Sequence, residues 1–80
     1  MDNSETRLTK IFEAVFPDLP VNRIPAASQD SIQAWDSVAA ITLMNLIDEE
    51  FGIQMEFEDL GELTAFQKIL SYIDAKLPIS

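Results

Sequence analysis

Apolar positions recur at helical spacing in three stretches of the chain, and the clearest lies in the middle. On a wheel of about 100° per residue, Ala40, Leu43, Met44, Ile47 and Phe51 fall in one broad apolar arc with Ile41 at its edge. Thr42, Asn45 and Glu49 fall opposite, together with Val38 and Leu46. The predicted helix therefore has a core face and an outer polar strip carrying two aliphatic residues. Its ends are legible as well. Asp36 offers a side-chain acceptor to the orphan amides of a first turn, and Gly52 supplies the left-handed residue on which helices end. Ser37 to Phe51 is fifteen residues, which makes about 22 Å of helix, enough to run the length of a small bundle.

The flanking stretches follow the same logic. Leu8, Ile11, Phe12, Val15 and Phe16 fit an i, i+3, i+4, i+7, i+8 pattern that begins near Asp2 or Ser4 and is stopped by Pro17. Thr64 and Gln67 have the form of a capping box, and Phe66, Ile69, Leu70, Ile73 and Leu77 continue as a third amphipathic helix that ends before Pro78. The twenty residues from Pro17 to Asp36 hold three prolines and no sustained period. They predict a long ordered loop with one short turn around Ser31 to Ala34, its Leu19, Val21, Ile24, Ile32 and Trp35 packed on the core. Phe57 to Gly61 is at most a short helix. No stretch alternates at period two long enough to require a strand. The expected fold is all-α, a small bundle of three main helices plus one short helix with a long first loop, in a single domain over residues 1–80.

Composition narrows the chemistry. The chain has no cysteine and no histidine, so disulfides, thiolate chemistry and the usual zinc ligands are absent and packing alone must hold the fold. Fourteen acidic against five basic residues give a formal charge of −9, which repels nucleic acid and anionic membranes and favours partners with basic patches. Asp48, Glu49, Glu50, Glu56, Glu58, Asp59 and Glu62 cluster without an intervening Lys or Arg, a solvated face or a recognition surface. If Gly61 held the sixth position of a calcium loop, Leu60 and Gln67 would fall on ligand positions, which excludes that reading, and no metal is expected. Nothing resembles a membrane span or a signal peptide. The expectation is a soluble, cytoplasmic monomer.

Ser37 is the residue that asks for an explanation. It opens the central helix, and Asp36 already provides the cap, so its hydroxyl is free. A serine nucleophile needs an adjacent base, and neither a histidine nor a suitably spaced lysine is present: Lys10, Lys68 and Lys76 fall on the outer helices. The serine is therefore expected to be acted upon, and the protein to be no enzyme.

Asp36-Ser37-Val38, preceded by Trp35, resembles the Asp-Ser-Leu attachment motif of the acyl carrier protein family, the phosphopantetheine-binding carrier domains. Leu43-Met44, Ile47, Glu49-Glu50-Phe51-Gly52-Ile53 and the stretch Thr64 to Ile73 are similar to the family in order and spacing. The resemblance implies that a phosphopantetheinyl transferase moves 4′-phosphopantetheine from coenzyme A onto Ser37, with Asp36 assisting, and that the arm's thiol carries an acyl or aminoacyl thioester. It also implies that the helix after the serine meets partner enzymes that load and transfer the cargo. Here the acidic strip is incomplete, since Thr42 and Asn45 stand where glutamates are usual and Val38 replaces leucine. Val38, Thr42, Asn45, Leu46 and Glu49 are the expected partner contacts, read by enzymes with basic or mixed apolar patches in a specialised lipid or secondary-metabolite pathway. If cargo folds into the bundle, Met44, Ile47, Ile53, Phe66 and Ile73 would line its cavity. The alternative is an acidic helical adaptor that binds its partner without any prosthetic group.

Overall fold

The computed structural model describes residues 3–77. Three α-helices form the bundle: α1 (Ser4–Val15), α2 (Ser37–Phe51) and α3 (Phe66–Lys76), with short 3₁₀ helices at Val21–Ala26 and Phe57–Gly61. The start of α1 is set by Asn3, whose Oδ1 accepts from the Thr6 amide at 2.8 Å. Asp2, one of the two expected starts, lies outside the described residues. Pro17 follows the helix as expected, and the Phe16 amide closes the last turn on the Phe12 carbonyl at 2.8 Å.

Both ends of α2 are built as its sequence predicts. Asp36 has extended backbone and its Oδ1 accepts from the Ala39 amide at 2.9 Å, while Gly52 adopts φ 65° and donates to the Asp48 carbonyl. Leu43, Ile47 and Phe51 are buried, Ala40 and Met44 are half-buried, and Ile41 sits at the exposed edge. Leu46 departs from the expectation. It is half-buried and lines a groove with Arg7, Lys10, Ile11 and Ala14 of α1 and Glu50. The reason is that α1 packs on the flank where Leu46 and Glu50, four residues apart, lie one above the other.

The long loop contains more structure than its sequence suggests. Val21–Ala26 is a 3₁₀ helix with Pro25 inside it, closed by bonds from Arg23 to Pro20 and from Ala27 to Ile24, each at 2.9 Å. A six-residue segment with one fully buried anchor, Ile24, leaves no period to read. Val21, expected to pack, is 56% exposed because Ile24 and Ala27 take the inward positions. Trp35 is buried as expected, and Leu19 and Ile32 pack partly.

The capping box expected at Thr64 and Gln67 is absent. Ala65 is the N-cap of α3 and no side chain caps it. The loop provides the partners instead: Gln29 donates to the Thr64 carbonyl at 2.7 Å and Phe66 donates to the Ala27 carbonyl at 2.9 Å, around an antiparallel bridge between Ser28 and Ala65. Gln67 reaches across to the Pro25 carbonyl at 3.2 Å. A tertiary contact has satisfied the Phe66 amide, which an isolated helix would have to cap locally.

The core is wholly apolar, with no polar or charged side chain buried among the described residues. Phe12 sits at its centre, edge-on to Trp35 at 5.4 Å and to Phe66 at 5.1 Å, with Phe16 beside it at 5.8 Å. One residue of α1 thereby joins the loop before α2 to the first turn of α3. No helix among the described residues is long and apolar enough to cross a membrane.

Candidate functional site

The amino end of α2 is assembled in three consecutive steps. Trp35 is 3% exposed and wedged against Phe12 and Phe16, which fixes the chain where it leaves the loop. Asp36 turns its carboxylate onto the Ala39 amide and lends its carbonyl to Ala40 at 2.9 Å. Ser37 follows as the first helical residue, exposed, its hydroxyl without a hydrogen-bond partner among the described residues. The Ser37 and Val38 amides also find no acceptor there. The result is a primary alcohol held at a fixed place beside two open backbone donors, at the positive end of a helix dipole. No general base touches it among the described residues. No group of three acidic side chains is arranged to hold a metal among the described residues.

The rest of α2 divides by flank. Ser37, Ile41, Met44 and Asp48 stand at i, i+4, i+7 and i+11 and so share one side of the helix. At its carboxyl end that side meets the segment after the helix, where Asp48 Oδ1 accepts from the Met55 amide at 3.0 Å. On the other flank, Glu50 is paired with Arg7, whose Nε lies 2.8 Å from Glu50 Oε2 and whose Nη2 donates to the Glu50 carbonyl. The same guanidinium lies 4.4 Å from the Phe51 ring centroid. Of the expected partner contacts, Val38, Thr42, Asn45 and Glu49 lie together on the open face and Leu46 does not. The commitment of Asp48 was missed, although its position held a signal: an acid in the last turn opposes the helix dipole unless something nearby uses it.

On the opposite, core side of α2 a cavity of about 10 Å³, room for about one water, lies between α2, Leu60 and Ile69. Met44 and Ile47 line it, joined by Trp35, Leu43, Met55 and Leu63. Ile53, Phe66 and Ile73 do not line it. Phe66 and Ile73 are fully buried, and the Phe66 ring packs on Phe12. Tyr72 on α3 donates to Asp59 Oδ2 at 2.8 Å, and loss of solvent, reinforced by that carboxylate, raises its phenol above the ordinary value of 10.0.

The fold and the site together define a small helical bundle with no buried polar side chain among the described residues and one unpartnered serine at the start of its central helix. The chain is 33% identical over 78 residues to the acyl carrier protein of Buchnera aphidicola subsp. Schizaphis graminum (strain Sg), an alignment that covers 95% of this chain and 96% of that protein. The chain belongs to the acyl carrier protein family. No protein-family model matches it, and no solved structure matches it.

Proposed function

We propose that the protein carries acyl or aminoacyl groups as thioesters on 4′-phosphopantetheine attached to Ser37 and presents them to successive enzymes of a specialised pathway. The observation that carries this reading is Ser37 itself, an exposed alcohol pinned between a buried tryptophan and a capped first turn in a chain of this family. Under a phosphopantetheinyl transferase, the Ser37 Oγ forms a bond to the pantetheine-side phosphorus of coenzyme A. The pyrophosphate P–O bond breaks, the hydroxyl proton is lost and adenosine 3′,5′-bisphosphate leaves. The open Ser37 and Val38 amides suit the phosphodiester that results. Asp36 orders the turn and offers the transferase a carboxylate next to the nucleophile. The arm supplies the only thiol, since the chain has no cysteine of its own. Val38, Thr42, Asn45 and Glu49 face the partners, and Met44 and Ile47 border the space that cargo would widen.

The test is intact mass after incubation with coenzyme A, magnesium and a broad-specificity phosphopantetheinyl transferase. One phosphopantetheine added to the parent and none to Ser37→Ala is the expected result. No addition to folded parent with several transferases would replace the carrier by a non-covalent adaptor.

A further inference from the structure

We infer that the groove between the end of α1 and the residues before Trp35 is the resting site of the 4′-phosphopantetheine arm when it carries no cargo. The inference rests on the reading of Ser37 as the attachment site. The groove measures about 470 Å³ and is lined by Val15, Phe16 and Leu19 from one segment and by Ile32, Gln33 and Ala34 from the other. Small-molecule sites usually enclose about 300–1,000 Å³, and the groove falls in that range. The cavity behind α2, at about 10 Å³, has room for about one water. Without a rearrangement of the core, the arm has no place there.

Reach and chemistry both fit. Ala34 stands three residues before Ser37, at most about 11 Å along the chain, and the turn that brings the Asp36 amide to the Ala34 carbonyl at 3.0 Å shortens that path. The arm has about thirteen bonds between its phosphorus and its sulfur, which at backbone dimensions extend to about 15 Å. Tethered at Ser37, it spans the distance. Its body is two secondary amides joined by short carbon chains, with a branched hydrocarbon beside a hydroxyl at the phosphate end. The Gln33 and Ala34 amides and the Gln33 carboxamide find no partner among the described residues, so they are available to the arm's amides. Val15, Leu19 and Ile32, each half-buried, offer carbon to the branched part. Asp18 alone among the groove's lining residues is charged. That suits a ligand that is neutral between phosphate and thiol, in a chain whose formal charge of −9 repels an anionic one.

The experiment measures water exchange of the Gln33 and Ala34 amides by NMR, before and after loading with phosphopantetheine kept reduced, in the parent and in Ala34→Tyr. Ser37 and Val38 change with the phosphodiester wherever the arm lies, so the reading is taken at Gln33 and Ala34. Ala34 is exposed, thermal unfolding verifies that the variant keeps its fold, and Ala34→Leu serves the same end should the tyrosine unfold the chain. Loading should slow exchange of both amides at least threefold in the parent, and the larger side chain, which fills the groove, should abolish the slowing. A smaller slowing in the loaded parent, or slowing that persists in the filled groove, overturns the resting site and leaves the attachment reading intact. Absence of any mass gain in the parent overturns the attachment reading, and the resting site with it.

Discussion

The two ends of α2 are built for opposite purposes. At the carboxyl end nearly every side chain is engaged inside the molecule: Asp48 holds the Met55 amide, Glu50 holds Arg7, Phe51 is buried under the same guanidinium, and Gly52 turns the chain. At the amino end Trp35 and Asp36 are engaged, and Ser37 and Val38 stand in solvent with amides that find no acceptor among the described residues. Fifteen residues of one helix thus join a structural end to the end that the proposed function makes the presenting one. Substitutions at the first should cost stability and spare modification, and substitutions at the second should do the reverse.

The largest effect is expected at Phe51. It is 7% exposed and supports both the core and the Arg7 contact. Truncation of a buried phenylalanine costs about 3–5 kcal/mol, a large fraction of the roughly 4–12 kcal/mol that a chain of this size holds. Phe51→Ala should lower the thermal midpoint by more than about 12 °C, while protein kept folded in the cold should still accept phosphopantetheine. Asp48→Ala comes next. It strands the Met55 amide, at about 1–3 kcal/mol, but removes an acid from the negative end of the dipole, which returns about 0.3–1 kcal/mol. A net loss of about 1–2 kcal/mol in urea unfolding is expected, and Asp48→Asn, which keeps an acceptor oxygen, should recover most of it.

Gly52→Ala isolates backbone strain. A Cβ at Gly52 would meet nothing within 4 Å, so crowding adds nothing and only the left-handed φ of 65° is penalised. That costs about 1–2 kcal/mol, offset by about 0.4–1 kcal/mol from a stiffer unfolded chain. A loss of about 1 kcal/mol by denaturant midpoint is expected. Tyr72→Phe is smaller and depends on pH. The folded Tyr72 keeps its proton above the ordinary value of 10.0, so the stabilisation it gains by donating to Asp59 is complete below about pH 10 and fades as pH rises through the raised value. The stability difference between parent and Tyr72→Phe should therefore shrink on the alkaline side, as read by unfolding from pH 8 to 12.

What the sequence could and could not disclose follows the same division. The presenting end is local: Trp35, Asp36 and Ser37 are consecutive, and cap, serine and helix face can all be read from spacing. So can Gly52, because its conformation is its own. The structural contacts are not local. Arg7 meets Glu50 across 43 positions and Gln67 meets Pro25 across 42, and a single sequence carries no sign of such pairs. The bridge between Ser28 and Ala65 made the Thr64 capping box unnecessary, and the approach of α1 drew Leu46 off the open strip. Helix periodicity gave the three main elements because each buries several side chains on one face. The 3₁₀ helix at Val21–Ala26 fully buries only Ile24, which is too little for any period.

Ser37→Ala tests the comparison at its other extreme, where the stability effect should be smallest and the functional loss complete. The Ser37 hydroxyl makes no hydrogen bond among the described residues, so its removal leaves no group unsatisfied. Alanine is the better helix former by a few tenths of a kcal/mol, and the cap remains with Asp36. The variant should unfold within about 0.5 kcal/mol of the parent and take up no phosphopantetheine. Asp36→Ala provides the internal control, since it removes the cap next door at a cost of about 1 kcal/mol. If Ser37→Ala were the more destabilising of the two by calorimetry, the serine would be holding the helix, and the presenting end would be structural after all.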